Sequence, residues 1–251
     1  EAFQLLKDKN NGRLSWKKGE FDTCGDGKEC KKLERSYKTS MVAHVALEPM
    51  SVLANLDDGF LHIYAGHQVG TLLPNIIGQF TGLSPNKIIY HPHLVGGSFG
   101  KRTEFGMIAL ASMASVQLKK PVKLILTRED DMAFSHPRTP TVQNLEAVIS
   151  GKECLGYKQD IASATMQFDK LMPQFLRNPI VDGVPIESND KIEGFTVVGA
   201  DNWYDIEHQT VNYYRQTSIE NTIPVRNVRS VGNNYTVFAT ESFIDEVSQE
   251  I

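Results

Sequence analysis

Ile88-Ile89-Tyr90-His91-Pro92-His93-Leu94-Val95-Gly96-Gly97-Ser98-Phe99-Gly100-Lys101-Arg102 is the stretch on which the fold turns. Ile88–His93 is rich in β-branched and aromatic residues and reads as a strand. It runs into a glycine-rich loop. Beyond the loop, Phe105, Ile108, Ala109, Ser112, Met113 and Val116 recur at i, i+3, i+4, i+7, i+8 and i+11, one face of a helix. Pro121 stops that helix, and Val122–Leu126 is strand again. The order is strand, glycine loop, helix, strand.

Working outward, Met50–Leu56 and Phe60–Ala65 are β-like runs joined by Asp57-Asp58-Gly59, a hairpin signal. Leu72–Phe80 predicts a short helix with Pro74 in its first turn and an end near Gly82. Downstream, Thr139–Ala164 predicts a long hairpin around Ser150-Gly151-Lys152. Residues 165–178 read as helical and 179–194 as irregular. Val211–Gln216 is a strand, and Val237, Phe238, Phe243, Ile244 and Val247 mark a closing helix capped by Asn233 or Asn234. Residues 1–35 are polar and lysine-rich, an edge segment or linker with a short strand around Arg13–Trp16; the main body is 36–251. Strands and helices mix without strict alternation, so the fold class is α+β, mixed sheets with packed helices.

The composition narrows the function. Hydrophobic residues make up 41% of the 251 and charged residues 22%, which excludes wholesale disorder. Lys and Arg number 26 against 30 Asp and Glu, a net charge of -4, and this lacks the basic footprint of a nucleic-acid binder. No apolar run approaches the roughly 18 residues of a membrane span. Cys24, Cys30 and Cys154 are too few and scattered for a disulfide framework and read as free thiols. The chain begins at Glu1-Ala2-Phe3-Gln4 without Met and stops inside a helical pattern, so it reads as an internal fragment; no compartment follows from it.

Chemistry concentrates at Gly96–Arg102. A glycine run between strand and helix lets main-chain N–H groups approach an anion, and Lys101 and Arg102 would add positive charge. The loop is neither a Walker A loop nor a Rossmann fingerprint. Spacing alone leaves an anion site and a plain tight turn equally open. His91-x-His93 can place two imidazoles on one strand face, a spacing that can bind a metal but is more often incidental without a third ligand. Glu48-Pro49 and Gly66-His67-Gln68 flank the hairpin and alone read as solvated strand ends, and Arg226 and Arg229 precede the last helix and alone read as surface arginines at a helix entry. Glu129-Asp130-Asp131 reads as an exposed acidic helix start. No Ser-His-Asp or Cys-His arrangement is supported by spacing.

Taken together, five elements carry a resemblance. They are Ala43–Met50, Gly66-His67-Gln68, Gly96–Arg102, Pro121–Met132, and Arg229-Ser230-Val231-Gly232-Asn233-Asn234 leading into Glu241–Glu246. In this order and spacing the sequence resembles the molybdopterin-binding subunit of the xanthine oxidase and aldehyde oxidoreductase family. Arg229–Gly232 and Trp203-Tyr204-Asp205-Ile206 are most similar to the isoquinoline 1-oxidoreductase β-subunit type. The resemblance spans about residue 36 to 251.

The resemblance implies a molybdenum held by the dithiolene of molybdopterin, in some relatives the cytosine dinucleotide form, with no direct protein ligand to the metal. It implies that Gln68 hydrogen-bonds a molybdenum oxygen, that Gly97, Ser98, Phe99 and Gly100 wrap the metal end of the cofactor, and that Arg229 lies near it. Ser98 stands where relatives usually carry glycine, so its φ is expected to be ordinary. Thr103 stands where some relatives carry a substrate-binding Glu, with Glu104 next, and Val231 stands where purine-using relatives carry a stacking Phe; these three are the substrate-facing candidates, and purines are disfavoured. The implied reaction hydroxylates an aldehyde or N-heteroaromatic carbon with oxygen from water, passing electrons to a two-iron–two-sulfur centre on a small partner subunit. The base glutamate and the other cofactor loops belong to the C-terminal half of the subunit. This stretch is then half a site, inactive alone and without cofactor until its other half is present. The alternative is a non-catalytic relative that keeps the fold as a structural or binding module; a generic nucleotide-binding domain ranks last.

Overall fold

The computed structural model describes residues 4, 6, 12–21, 24, 29–165, 180–181, 184–185 and 192–251. The predicted helix over 165–178 and most of the irregular 179–194 segment lie outside the described residues. The chain forms two compact units: residues 1–42, 137–166 and 188–251 make the first, residues 43–136 and 167–187 the second.

The second unit carries a four-stranded sheet built from β3 (Ser51–Asp57), β4 (Phe60–Ala65), β5 (Ile88–Pro92) and β6 (Val122–Ile125), in the order β5-β4-β3-β6. The hairpin of β3 and β4 is antiparallel, with Asp57 opposite Phe60 and the turn where Asp57-Asp58-Gly59 predicts it. β4 and β5 are parallel, because α1 (Leu73–Thr81) makes the crossover between them. Pro74 does sit in the first turn of α1, and Gly82 caps it at a left-handed φ of 74°. α2 (Gly106–Leu118) follows the glycine loop. Val52, Ala54, Leu61, Ile63 and Ala65 alternate onto one face of the sheet and pack on Ile76, Ile77, Ile108 and Ala111 of the two helices.

The short helix α3 (Arg128–Ala133) begins at Thr127, whose hydroxyl accepts the Asp130 N–H, as the acidic start predicts. Asp131, however, is not exposed. It is buried on the Lys101 ammonium, which lies 3.2 Å from Asp131 Oδ1.

The first unit carries a five-stranded sheet from β1 (Arg13–Lys18), β2 (Lys31–Thr39), β7 (Thr141–Ser150), β8 (Glu153–Ser163) and β11 (His208–Arg215), ordered β1-β11-β8-β7-β2. β11 runs parallel to β8, and the other pairings are antiparallel. The long predicted hairpin is β7 and β8, turning at Gly151. β9 (Ile180–Val181) and β10 (Val184–Pro185) form a separate two-stranded ladder.

One face of the five-stranded sheet is covered by the closing helix. Two short helices, α4 (Gly194–Val197) and α5 (Thr217–Thr222), precede the much longer α6 (Asn233–Glu250), which closes the unit. Tyr235, Ala239, Phe243 and Val247 of α6 form the buried stripe, against Leu145, Ala147, Tyr157 and Ile161 of the sheet. The N-cap of α6 is Gly232 rather than either asparagine, and it makes no side-chain cap bond. Asn234 is drawn elsewhere, as described below.

Two further readings are corrected. Cys24 and Cys30 are joined by a disulfide, leaving Cys154 free. Their Cα atoms lie 6.2 Å apart, inside the range a bridge needs, which their separation in sequence does not reveal. Lys101 and Arg102 are not free cations beside the glycine loop; both are buried and already paired. No described helix is long and apolar enough to cross a membrane.

Candidate functional site

The glycine loop of the second unit is held from below. The Arg102 guanidinium is 1% exposed and lies 3.4 Å from each of four carbonyl oxygens, those of Glu48, Pro49, Gly66 and Gly97. Its Nη2 also lies 3.0 Å from Glu48 Oε2. That same carboxylate oxygen accepts the Gly96 N–H at 2.6 Å, while the Glu48 N–H donates to the Gly96 carbonyl at 3.0 Å. Glu48 and Arg102 thus clamp both ends of the loop. Gly96 leaves no room for a side chain here, since a Cβ would lie 2.6 Å from Glu48 Cβ. Lys101 Nζ adds a second anchor, donating to the Asp131 carbonyl at 2.6 Å.

Between these anchors the main chain bends. Gly97, Phe99 and Gly100 have φ of 93°, 54° and 104°, whereas Ser98 does not take a positive φ. The N–H groups of Gly97, Ser98 and Phe99 have no acceptor among the described residues, and Ser98 Oγ is buried without a partner in a residue only 8% exposed. Main-chain donors and buried hydroxyls are ordinarily satisfied. A run left open in this way offers hydrogen bonds to an oxygen-rich ligand.

Gln68 stands beside this run. Its Oε1 accepts the Gly100 N–H at 3.2 Å, and its own N–H donates to the Arg102 carbonyl at 2.9 Å. The acceptor end of the carboxamide is therefore used by the loop. The Nε2 donor end has no partner among the described residues, and Gln68 is exposed.

The neighbouring His67 is fixed as a neutral ring. Its Nδ1 accepts the Val69 N–H at 3.2 Å, so Nε2 carries the proton and faces the Glu104 carbonyl at 3.3 Å. Burial, aided by the Arg102 cation, pushes its pKa down to about 4.

The substrate-facing candidates of the second unit are differently placed. Thr103 Oγ1 donates to the Gly100 carbonyl at 2.7 Å, so its proton is used within the loop. Glu104 Oε2 lies 2.8 Å from His136 Nδ1, a charge contact when that imidazole is protonated, and its Oε1 is buried without a partner among the described residues. His91 does not pair with His93. Its Nε2 meets His62 Nδ1 at 3.0 Å across the sheet, and Tyr64 stacks on its ring. Among the described residues, no group of three or more His, Cys, Asp or Glu could hold a metal ion.

Arg229 and Val231 belong to the first unit. The Arg229 side chain is exposed, and its carbonyl accepts a hydrogen bond from buried Arg138 at 2.6 Å. Val231 is half-buried at a φ of 52° and packs against the cluster of Ile161, Ala200, Val211 and Tyr235. Sequence reasoning missed the supports: Glu48, Arg102, Asp131 and Arg138. The available signal was charge balance, because two cations directly after a glycine loop need counter-charges wherever they are buried.

Main-chain donors left open on a loop before a helix, beside a carboxamide, are an arrangement suited to an oxygen-bearing ligand. The comparisons make the reading specific. The profile of the molybdopterin cofactor-binding domain matches residues 5–155. The chain is 32% identical over 217 residues to a membrane-bound aldehyde dehydrogenase (pyrroloquinoline-quinone) of Gluconacetobacter polyoxogenes, covering 86% of this chain and 27% of that protein. It is 24% identical over 247 residues to isoquinoline 1-oxidoreductase subunit beta of Brevundimonas diminuta, covering 96% of this chain and 30% of that protein. The fold matches the aldehyde oxidoreductase of Desulfovibrio desulfuricans with a TM-score of 0.71 at 17% identity, over 99% of this chain and 27% of that one. The chain belongs to the molybdopterin cofactor-binding domain family, and it is homologous to a domain of the large subunit of molybdenum hydroxylases. It spans under a third of the length of these relatives.

Proposed function

We propose that this chain is the part of a molybdenum hydroxylase large subunit that cradles the metal end of a molybdopterin cofactor, and that it works only when joined to the subunit's C-terminal half. The observation that carries this reading is the run of three unpaired N–H groups at Gly97, Ser98 and Phe99 beside Gln68. The buried, unpartnered Ser98 hydroxyl fits the same ligand, since it supplies one more hydrogen bond to an oxygen-rich group.

When bound, the cofactor supplies the two-electron oxidation of an aldehyde or N-heteroaromatic carbon with oxygen taken from water. The protein's share is positioning. Gly97, Ser98 and Phe99 donate main-chain hydrogens, and Gly100 holds Gln68 so that its Nε2 donates without bringing charge. The family resemblance assigns Arg229 to an anionic centre and Thr103, Glu104 and Val231 to substrate. The C-terminal half would supply the base glutamate, and a two-iron–two-sulfur centre on a small partner subunit would accept the electrons.

The test is to produce the parent protein with its small subunit in a host that makes the cofactor. Molybdenum and pterin would then be measured, and label from 18O-water sought in the acid formed from an aldehyde. Both cofactor components with label in the product are expected. A well-folded protein that holds neither would make the chain a non-catalytic relative that kept the fold.

A further inference from the structure

In the first unit, β1 and β2 follow one another in the chain yet sit at opposite edges of the five-stranded sheet. The connection between them, residues 19–30, has to pass β11, β8 and β7, which amounts to about 19 Å of strand spacings. Its described residues mark the path. The Glu20 N–H donates to His208 Nδ1 at 3.2 Å, where β11 begins. The Phe21 carbonyl crosses Gly156 of β8 so closely that a Cβ there would lie 2.7 Å from its oxygen. Cys24 and Cys30 are then joined before β2 starts at Lys31.

The bridge shortens this strap. From Phe21 to Lys31 the open chain can reach at most about 35 Å; through the bridge, whose Cα atoms are 6.2 Å apart, it can reach about 20 Å. From β8 to β2 only about 10 Å remain, so both the open and the bridged strap span the sheet. The pair is also reachable in the folded chain, because Cys24 is exposed and Cys30 is half-buried. The third cysteine of the chain, Cys154, is half-buried, donates to the Gly156 carbonyl at 3.5 Å, and has its pKa raised by burial. With Cys24 and Cys30 bridged, no thiol of the chain is left exposed.

Disulfides persist in oxidising compartments and are kept reduced in the cytosol. We infer that Cys24 and Cys30 form a redox clasp that closes on the already folded chain, and that the chain works in an oxidising compartment, where the clasp stays shut. The oxidant is itself a disulfide, on a small molecule or a protein. The Cys24 thiolate, its proton given to water, attacks one sulfur of that disulfide and releases the other, which takes up a proton as a thiol. The Cys30 thiolate then displaces the second thiol from the mixed disulfide. The chain loses two electrons and two protons, and the S–S bond of the oxidant becomes two thiols. This does not depend on the cofactor reading, since no residue of the strap takes part in the cradle.

The test starts from the full chain folded in the presence of reductant. Its far-UV circular dichroism should match that of the oxidised chain. Oxidised glutathione should then close the bridge without denaturant, read by peptide mapping as the loss of two hydrogens across Cys24 and Cys30. Closure should raise the urea midpoint and lower the unfolding constant about fortyfold, the effect of closing a loop of this separation. Cys30→Ser should collect one glutathione at Cys24, whereas Cys24→Ser should carry less than about a tenth as much at Cys30 in the same time. In the parent's own host, alkylation before lysis should find the pair already bridged. Thiols that stay free in excess oxidised glutathione, an unchanged urea midpoint, or equal adducts on the two serine variants would overturn the clasp. An unfolded reduced chain would overturn it too, because the bridge would then be a condition of folding. Free thiols at both positions in the host would overturn the oxidising compartment.

Discussion

The buried guanidinium of Arg138 donates from Nη2 to the Arg229 carbonyl at 2.6 Å and from Nη1 to Asn234 Oδ1 at 2.7 Å. Arg138 is 5% exposed and has no carboxylate partner among the described residues; burial depresses its pKa accordingly. It acts as a brace for the main chain. Ser230 and Val231 follow Arg229 at φ of 69° and 52°, conformations that cost a non-glycine residue roughly 1 kcal/mol each and persist only where the surroundings hold them. Arg138→Met should therefore lower unfolding free energy by about 3 kcal/mol, read from the urea midpoint at unchanged slope. Arg138→Lys, which reaches one partner and not both, should lose about half of that. Arg229→Ala, at an exposed side chain, should stay within about 0.5 kcal/mol of the parent. An unchanged midpoint for Arg138→Met would remove the brace from the account.

Arg102 makes a parallel case in the second unit, with sharper contrast between partners. Removing it as Arg102→Met leaves four carbonyls without its guanidinium and the Glu48 carboxylate with only the Gly96 N–H, and a loss of about 3–5 kcal/mol is expected. Glu48→Gln keeps an acceptor for the Gly96 N–H and should cost about 1 kcal/mol. Equal losses for the two variants would show that the carboxylate, and not the carbonyl cluster, anchors the loop.

His67 predicts a pH dependence of fixed sign. Its pKa is near 4 in the folded chain and near 6.5 unfolded, so between these values the unfolded state binds more protons. Its contribution is fully present above pH 6.5 and is lost as the pH falls toward 4, to a total of up to about 3 kcal/mol. Below pH 4 its part of the slope vanishes. Urea titrations from pH 7 to 4 should show this fall, and His67→Gln should flatten it. A slope that survives in His67→Gln belongs to other groups.

The cysteines can be counted directly. Denatured without reductant, the chain should react with one equivalent of a thiol reagent, at Cys154; after reduction it should react with three. Cys154 should react slowly in the native state, because burial raises its pKa and lowers the thiolate fraction. Three equivalents without reductant would mean that Cys24 and Cys30 are not bridged.

What the sequence makes legible follows the range of the forces involved. The β3–β4 hairpin, α1 with its Pro74 start and Gly82 stop, and the 88–126 unit are written in local turn chemistry and periodicity, and each lies where it is expected. β2 is invisible to that reading. Of Lys31–Thr39 only Leu33 is buried, because an edge strand dressed in charge shows no apolar alternation. The parallel pairing of β8 with β11 joins residues far apart in sequence, and the disulfide follows from no spacing rule. In the cradle, the glycine run was legible because Gly97 and Gly100 need positive φ. Its supports were not. Glu48 and Arg102 look like surface charges until the fold brings them together, and Lys101 finds Asp131 only after α2 and β6 have carried the chain back.

The central claim is that the main-chain run at 97–99 receives the cofactor, and its most direct measurement is the pterin and molybdenum bound per mole of parent protein, wild type against Gly97→Val. A side chain at a φ of 93° reshapes the run and sets a Cβ against the Phe99 ring at 3.4 Å, while the core below is untouched. The account predicts a stoichiometric pterin content in the wild type and a loss of at least about tenfold in the variant, with circular dichroism unchanged. A Gly97→Val protein that folds and still carries the full complement of pterin and molybdenum would contradict it.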